Sequence, residues 1–546
     1  MLFRSPRLVS AAGPPAPRPQ ALTLRPPAVR WRAAARVGAP VLVGVVAFAL
    51  ARSTLLPGLA LWDTGEFQAV APVLGTAHPT GYPSYILLGW VASLLLAPFG
   101  EPALRMNLLS AITLGAAAGL TVVLVRGLTG RTLVAVAAGL LLALTPIPWR
   151  VGSFADPHML HLALVGGLLV LLVGWEARTR SGRADADRWL VAAAALYGVA
   201  LGNQALTILL APGIALFIVV VEPGGWLRPA QLGRCALALF GVVALVYLEL
   251  PIRAAMGAPL VYGHPDTFGG FWYVVLALQF GGSLTGPFSD LASKAGALAS
   301  LATGQFGPLV ALIPASFLVV AVRRPRYALL TGTWLIVTCW FAASYTNADI
   351  QRYYLGPILI VTSWLAVAAG VVIEAVQAHL LVLLDDAGIR VAALRLVVSA
   401  AVGVALVAPA AIAAPTTRLV VDRSADTRAA DWSGWAFRVA EPNAVLVTWW
   451  GFSTPLWYRQ LILGERPDVR VIDDRTSVDE RLGSVDDVIR ANLGRGPVYL
   501  VRLDADRLDL EQRWHVEVVP DPEGTQPLLR VVGPRAASNG PGTMAP

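Results

Sequence analysis

Long apolar runs broken by short polar stretches occupy the first three quarters of the chain. Each run has roughly the 17–25 residues that a helix needs to cross ~30 Å of hydrocarbon. The pattern predicts spans near 38–57, 105–125, 131–148, 158–176, 188–202, 205–221, 235–251, 304–322, 327–344, 353–383 and 396–414. Beyond residue 415 the period changes. Strand-like stretches at 444–448, 469–472, 498–502, 515–519 and 528–532 surround a helical stretch at 455–463. The expectation is a polytopic α-helical membrane protein of about eleven transmembrane helices with a small C-terminal extracytoplasmic α/β domain. Its divisions are a disordered basic lead (1–36), a transmembrane domain (37–415), the outer domain (416–534) and a disordered tail (535–546).

One further apolar segment, 83–98, is short and bounded by Pro83 and Pro98. If it crossed, four Arg-containing loops, near 126–131, 178–188, 228–234 and 323–326, would fall outside. If it lies at the interface, all four fall inside with the basic N-terminus, as the positive-inside rule favours. That choice places the N-terminus on the cytoplasmic side of the membrane and the C-terminal domain outside. It also gathers the unusual polar residues of 58–104, 149–157, 252–303 and 345–352 on one outer face.

Composition agrees with the pattern. The 546 residues are 56% hydrophobic and 14% charged, against about a quarter charged in soluble domains, and mean hydropathy is +0.64. The net charge of +8 would suggest nucleic acid in a soluble chain. Here the arginines sit in short loops, where they orient helices, and no nucleic-acid partner is expected. Cys235 and Cys339 lie inside apolar runs, and no Cys/His cluster has zinc spacing.

Candidate chemistry starts at Trp62-Asp63-Thr64-Gly65-Glu66, directly after the first apolar run. Asp63 and Glu66 form either a capping box or a general base with a supporting carboxylate for an acceptor hydroxyl. His78-Pro79-Thr80-Gly81-Tyr82-Pro83 is a stiff turn, with His78 and Tyr82 as substrate contacts in the functional alternative. Asp156, His158 and His161 sit at the start of a helix. They suit capping, a phosphate contact or a two-His metal site. Arg253 and Arg352 lie at outer boundaries, against the local charge bias. Each either binds phosphate or forms an ion pair or snorkels. A transporter would instead place its polar residues at the midplane, often in repeated halves, and no repeat is visible.

Asp63-Thr64-Gly65-Glu66, His78-Pro79-x-Gly81-Tyr82-Pro83 and Arg105-Met106-Asn107-Leu108-Leu109-Ser110 together resemble a bacterial family of membrane proteins related to the eukaryotic transmembrane protein O-mannosyltransferases, within the GT-C glycosyltransferase superfamily. Leu250-Pro251-Ile252-Arg253, Pro455-Leu456-Trp457-Tyr458-Arg459-Gln460 and Gly464-Glu465-Arg466-Pro467-Asp468-Val469 extend the resemblance over most of residues 38–475. It implies inverting transfer of a hexose from a polyprenyl-phosphate sugar to a Ser/Thr hydroxyl of an exported protein, or to a glycolipid or cell-wall glycan. Asp63 matches the acid in the first outer loop of such enzymes. The partners are then the lipid-linked donor, the acceptor protein or glycan, and the bilayer. No cofactor or metal is expected. Trp449, Trp450 and Trp457 are candidates for presenting the acceptor.

Overall fold

A computed structural model describes residues 27–225, 228–284, 286, 288–346, 349–383 and 391–535. Of the disorder expected over 1–36, residues 1–26 lie outside the described residues, while 27–36 are helical; the expected tail after Arg535 also lies outside them. Two compact units divide the chain, Met1–Gly38 and Ala39–Pro546, and everything below concerns the second.

Every predicted apolar run contains helix, although the first helix stops at Arg52, short of the expected 57. In chain order the helices are α1 (Pro27–Arg52), α2 (Trp62–Val73), α3 (Pro83–Leu95), α4 (Pro102–Thr129), α5 (Thr132–Leu144), α6 (Pro146–Val151), α7 (Pro157–Arg180) and α8 (Ala186–Asn203). There follow α9 (Ala211–Val221), α10 (Pro229–Tyr247), α11 (Glu249–Ala255), α12 (Phe268–Val275), α13 (Leu291–Phe306), α14 (Ile313–Arg323), α15 (Pro325–Ser344), α16 (Leu355–Leu383) and α17 (Val391–Val421). Among the described residues, 7 helical stretches are long and apolar enough to cross a membrane, and shorter apolar helices accompany them. The segment predicted to stay at the interface is α3. Its 13 residues reach only about 20 Å, short of the hydrocarbon thickness.

Small residues set the bundle's closest approach. A Cβ on Gly44 of α1 would lie 2.9 Å from the Gly115 carbonyl oxygen of α4, and the converse distance is 2.7 Å. Backbones pack this tightly only where side chains are absent.

The C-terminal part is an α/β domain, as the strand pattern predicts. Helices α18 (Arg428–Val439), α19 (Trp450–Leu461), α20 (Asp474–Asp479), α21 (Val485–Asn492) and α22 (Asp504–Arg513) flank strands β1 (Val445–Thr448), β2 (Arg470–Asp473), β3 (Val498–Val501), β4 (Trp514–Val519) and β5 (Leu528–Pro534). The sheet order is β2-β1-β3-β5-β4. β1 runs parallel to β2 and β3, while β5 is antiparallel to β3 and β4. Two differences from the sequence expectation are local. α17 continues to Val421, and α19 begins ahead of Pro455. Pro455 has no N–H to give the Gly451 carbonyl, and the Thr454 hydroxyl donates to that oxygen at 3.3 Å instead.

The C-terminal domain rests directly on the helical bundle. A Cβ on Gly65 of α2 would lie 2.2 Å from the Ala60 oxygen and 2.6 Å from Thr454 Oγ1 of α19. Only glycine at position 65 permits that contact. On the same face the Ala103 N–H donates to Tyr458 Oη at 3.1 Å. The motifs beginning at Asp63 and Pro455 are therefore packing partners.

Candidate active site

The site is built around one guanidinium. Asp63 lies in the first turn of α2. Asp156 caps α7, its Oδ1 accepting from the His158 N–H at 2.7 Å. Arg352 lies in the single turn Ile350–Tyr354 that leads into α16. Arg352 Nη2 donates to Asp63 Oδ2 at 2.8 Å and Nη1 to Asp156 Oδ2 at 2.9 Å. Asp349 completes the cluster at 3.6 Å. Burial alone would push the Asp63 and Asp156 carboxyls up, but the Arg352 charge outweighs it and holds both below the usual carboxylate range.

Polar struts bring these loops together. Asn107 Oδ1 accepts from Gln68 Nε2 and from the Ala155 N–H, both at 2.9 Å, and its Nδ2 donates to the Leu56 and Gly58 carbonyls. Ser110 Oγ accepts from the Asp156 N–H at 3.1 Å. The Arg105–Ser110 motif thus fixes where Asp156 sits. Behind it, His158 Nδ1 faces Asp156 Oδ1 at 2.8 Å, His158 Nε2 faces Gln204 Nε2 at 2.8 Å, and the ring stacks on Tyr353. His161 turns to Thr207. Among the described residues no three histidine, cysteine or carboxylate side chains converge as a metal site would require.

Glu66 heads a second cluster. It is fully buried. Its Oε1 accepts from the His78 N–H at 2.8 Å, and its Oε2 pairs with His78 Nδ1. Arg475 of α20 reaches Glu66 Oε1 at 3.4 Å and lies over the Tyr262 ring. Tyr82 Oη is 3.2 Å from His78 Nε2. Burial disfavours the His78 imidazolium, yet the Glu66 carboxylate beside it leaves the ring's pKa raised. Burial lowers the Arg475 guanidinium to about 10, against the pull of Glu66.

A cavity of about 760 Å³ opens beside both clusters. Asp63, His78 and Arg352 line it, with Arg150, Arg423, Arg428 and Arg475 as further cations. Its aromatic wall is Trp62, Trp449, Trp450 and Phe280.

Of the residues singled out from the sequence, Asp63, His78 and Arg352 therefore face one space. Glu66, Tyr82, Asp156 and His158 stand behind them as buried partners. The expected phosphate role of Arg253 is not supported. Its Nε and Nη2 donate to the Leu74 and Val73 carbonyls at 2.9 and 3.0 Å, capping the C-terminus of α2. Arg352 was expected to hold phosphate as well, but it is occupied by carboxylates. Trp449 and Trp450 reach the cavity, whereas Trp457 is buried in the core beneath α19. Sequence reasoning missed Arg423, Arg428 and Arg475, whose only local signal is an arginine in a stretch already rich in charge.

The backbone arrangement has close counterparts. The chain matches ArnT from Cupriavidus metallidurans bound to undecaprenyl phosphate at 17% identity and TM-score 0.57, covering 90% of this chain and 97% of that one. It matches the archaeal oligosaccharyltransferase AglB from Archaeoglobus fulgidus, in complex with an inhibitory peptide and a dolichol-phosphate, at 15% identity and TM-score 0.52, covering 92% and 75%. This is a multi-span membrane protein of the GT-C fold with a small C-terminal sheet domain.

Within that fold, the N-terminal part of the chain is similar in sequence to protein O-mannosyl-transferases. Residues 63–224 match the family described as Protein O-mannosyl-transferase TMEM260 N-terminal domain. The mouse Protein O-mannosyl-transferase TMEM260 is 31% identical over 253 residues, 44% of this chain. The matched region spans 34% of that relative's length.

Proposed function

We propose that the protein is an inverting membrane glycosyltransferase that moves a hexose, mannose foremost, from a polyprenyl-phosphate sugar to a Ser/Thr hydroxyl of an exported protein. The observation that carries this reading is Asp63, an ionised carboxylate that lines a large cavity at the level where the bundle meets the outer domain. The kinship with protein O-mannosyl-transferases supports the sugar and the acceptor class. The loop-charge pattern supports a plasma-membrane protein with its N-terminus in the cytoplasm and its cavity outside.

In this mechanism the acceptor hydroxyl attacks the anomeric carbon in line. The new C–O bond forms as the bond to the phosphate oxygen breaks, one displacement inverts the carbon, and Asp63 takes the proton. A carboxylate held by Arg352 is a weak base, so the proton moves late, after positive charge on the sugar has acidified the attacking oxygen. In this reading cationic side chains supply the stabilisation that the leaving phosphate needs, and no metal is expected to take part.

The test is purified protein with labelled polyprenyl-phosphate mannose or glucose, a Ser/Thr peptide or a glycolipid as acceptor, with and without chelator. Peptide mannosylation that survives chelator is expected. Asp63→Asn should slow it on the order of 10²–10⁴-fold. Near-normal transfer by a well-folded Asp63→Asn protein removes Asp63 as the base. Glycolipid product alone reassigns the acceptor.

A further inference from the structure

Five arginines line the large cavity, and four have close carboxylate partners. Arg352 is held by Asp63 and Asp156. Arg423 and Arg428 share Asp426 at 3.1 and 2.8 Å. Arg475 pairs with Glu66. Arg150, at the end of α6, differs. Its ion pair with half-exposed Asp349 spans 3.8 Å. Its Nη2 is buried and has no hydrogen-bond partner among the described residues. Buried donors without an acceptor are uncommon and call for one.

Arg150 also lines a second cavity, of about 340 Å³, bounded by Pro146, Ile147, Gln305, Thr416 and Val420. That space lies where α6, α13 and the end of α17 meet. Val420 is 79% exposed, and the apolar Leu419 and Ile412 on α17 are exposed as well, so the second cavity borders the outer surface of the bundle. One guanidinium therefore stands between a polar chamber containing Asp63 and a groove that opens sideways, in which Pro146, Ile147, Val420 and Val421 alternate with Gln305, Gln351, Thr416 and Thr417.

We propose that Arg150 is the phosphate anchor of the lipid-linked donor and that the groove between α6 and α17 carries the first isoprene units of its tail. The assignment rests on the glycosyltransferase reading above. The ligand class is a polyprenyl monophosphate: an anionic head that satisfies the orphaned N–H and a branched apolar chain that leaves along Val420. The sugar then projects from Arg150 into the chamber, towards Asp63. Arg253 and Arg352 take no part in holding the phosphate.

The experiment is ligand-induced thermal stabilisation of the purified full chain in lipid nanodiscs. The probes are undecaprenyl phosphate, undecaprenol and inorganic phosphate. Wild type should bind undecaprenyl phosphate far more tightly than either of the others. Arg150→Gln should weaken it on the order of 10–100-fold, and Arg150→Lys should restore most of the loss. Val420→Trp, on an exposed surface that tolerates bulk, should weaken undecaprenyl phosphate but not inorganic phosphate. Each variant must match the wild-type unfolding midpoint without ligand, and Val420→Trp keeps the groove testable if Arg150→Gln misfolds. The proposal is overturned if wild type ignores undecaprenyl phosphate, if inorganic phosphate binds as tightly, or if either Arg150→Gln or Val420→Trp stays within about twofold of wild type. Binding is read without turnover. Intact Arg150-dependent binding in a protein that transfers no sugar would therefore refute the reaction and leave the lipid site standing.

Discussion

Arg352 and Asp63 meet at 2.8 Å across 289 positions of sequence, and the same guanidinium holds Asp156 at 2.9 Å. One cation thus joins the start of α2, the start of α7 and the turn before α16. The arrangement gives Asp63 its ionised state, and it makes Arg352 structurally indispensable.

Replacing Arg352 by methionine leaves two carboxylates without their counter-charge. We expect Arg352→Met to lose about 3–5 kcal/mol of stability, the usual penalty for breaking a buried ion pair. Adding Asp156→Asn should recover part of it, because the remaining uncompensated charge is halved. Unfolding midpoints in detergent decide the matter, and an unchanged Arg352→Met midpoint would refute the hub.

His78 gives a pH signature. Its folded pKa lies above the ordinary 6.5 because Glu66 sits beside it, with Asp63 adding to the effect and Arg475 opposing it. A raised pKa contributes stability that is complete below about 6.5 and is lost as pH rises through the folded value. The stability difference between wild type and His78→Gln should be constant below about pH 6.5 and shrink above it. A difference that grows with pH contradicts the Glu66–His78 pairing. Asp63 has the opposite sign: its contribution is present above its ordinary value and lost only in more acid solution.

Asn107 does not line the large cavity, yet it ties Leu56, Gly58, Gln68 and Ala155 together. Asn107→Leu should cost about 3 kcal/mol through the donors and acceptors it orphans. It should lower transfer while the donor KM stays near wild type. Wild-type stability would show that the strut is dispensable.

Arg475 links α20 to Glu66. A double-mutant cycle of Arg475→Met and Glu66→Gln should give a coupling of about 1–2 kcal/mol, as expected for contacting residues in a shared network. Strict additivity would show that the 3.4 Å approach carries no energy.

The fold was legible because its signals are local. Apolar runs of span length became helices, and period-two stretches such as Leu528–Val532 became strands. The short, Pro-bounded α3 was marked by its length. In the site, Asp63 and His78 announced themselves by lying beside an apolar run, and charge bias put them on the same face as Arg352. What no window of sequence contains is partnership. Arg253 and Arg352 have the same chemistry and a similar position, yet one caps a helix with two carbonyl bonds and the other binds two carboxylates. Arg475 was invisible because its partner lies 409 positions away.

The seat of α19 on α2 has a consequence for how the protein is made. Tyr458 meets Ala103 over 355 positions, and Gly65 waits longer still for Thr454. A ribosome completes the transmembrane walls of the chamber first, so α2 and its aromatic neighbours stay uncovered until α19 emerges, and Arg475 and Thr525 close the chamber later still. The chamber is finished late in biogenesis. A nascent or truncated chain lacking α19 exposes a greasy surface, and quality-control proteases should find it there first.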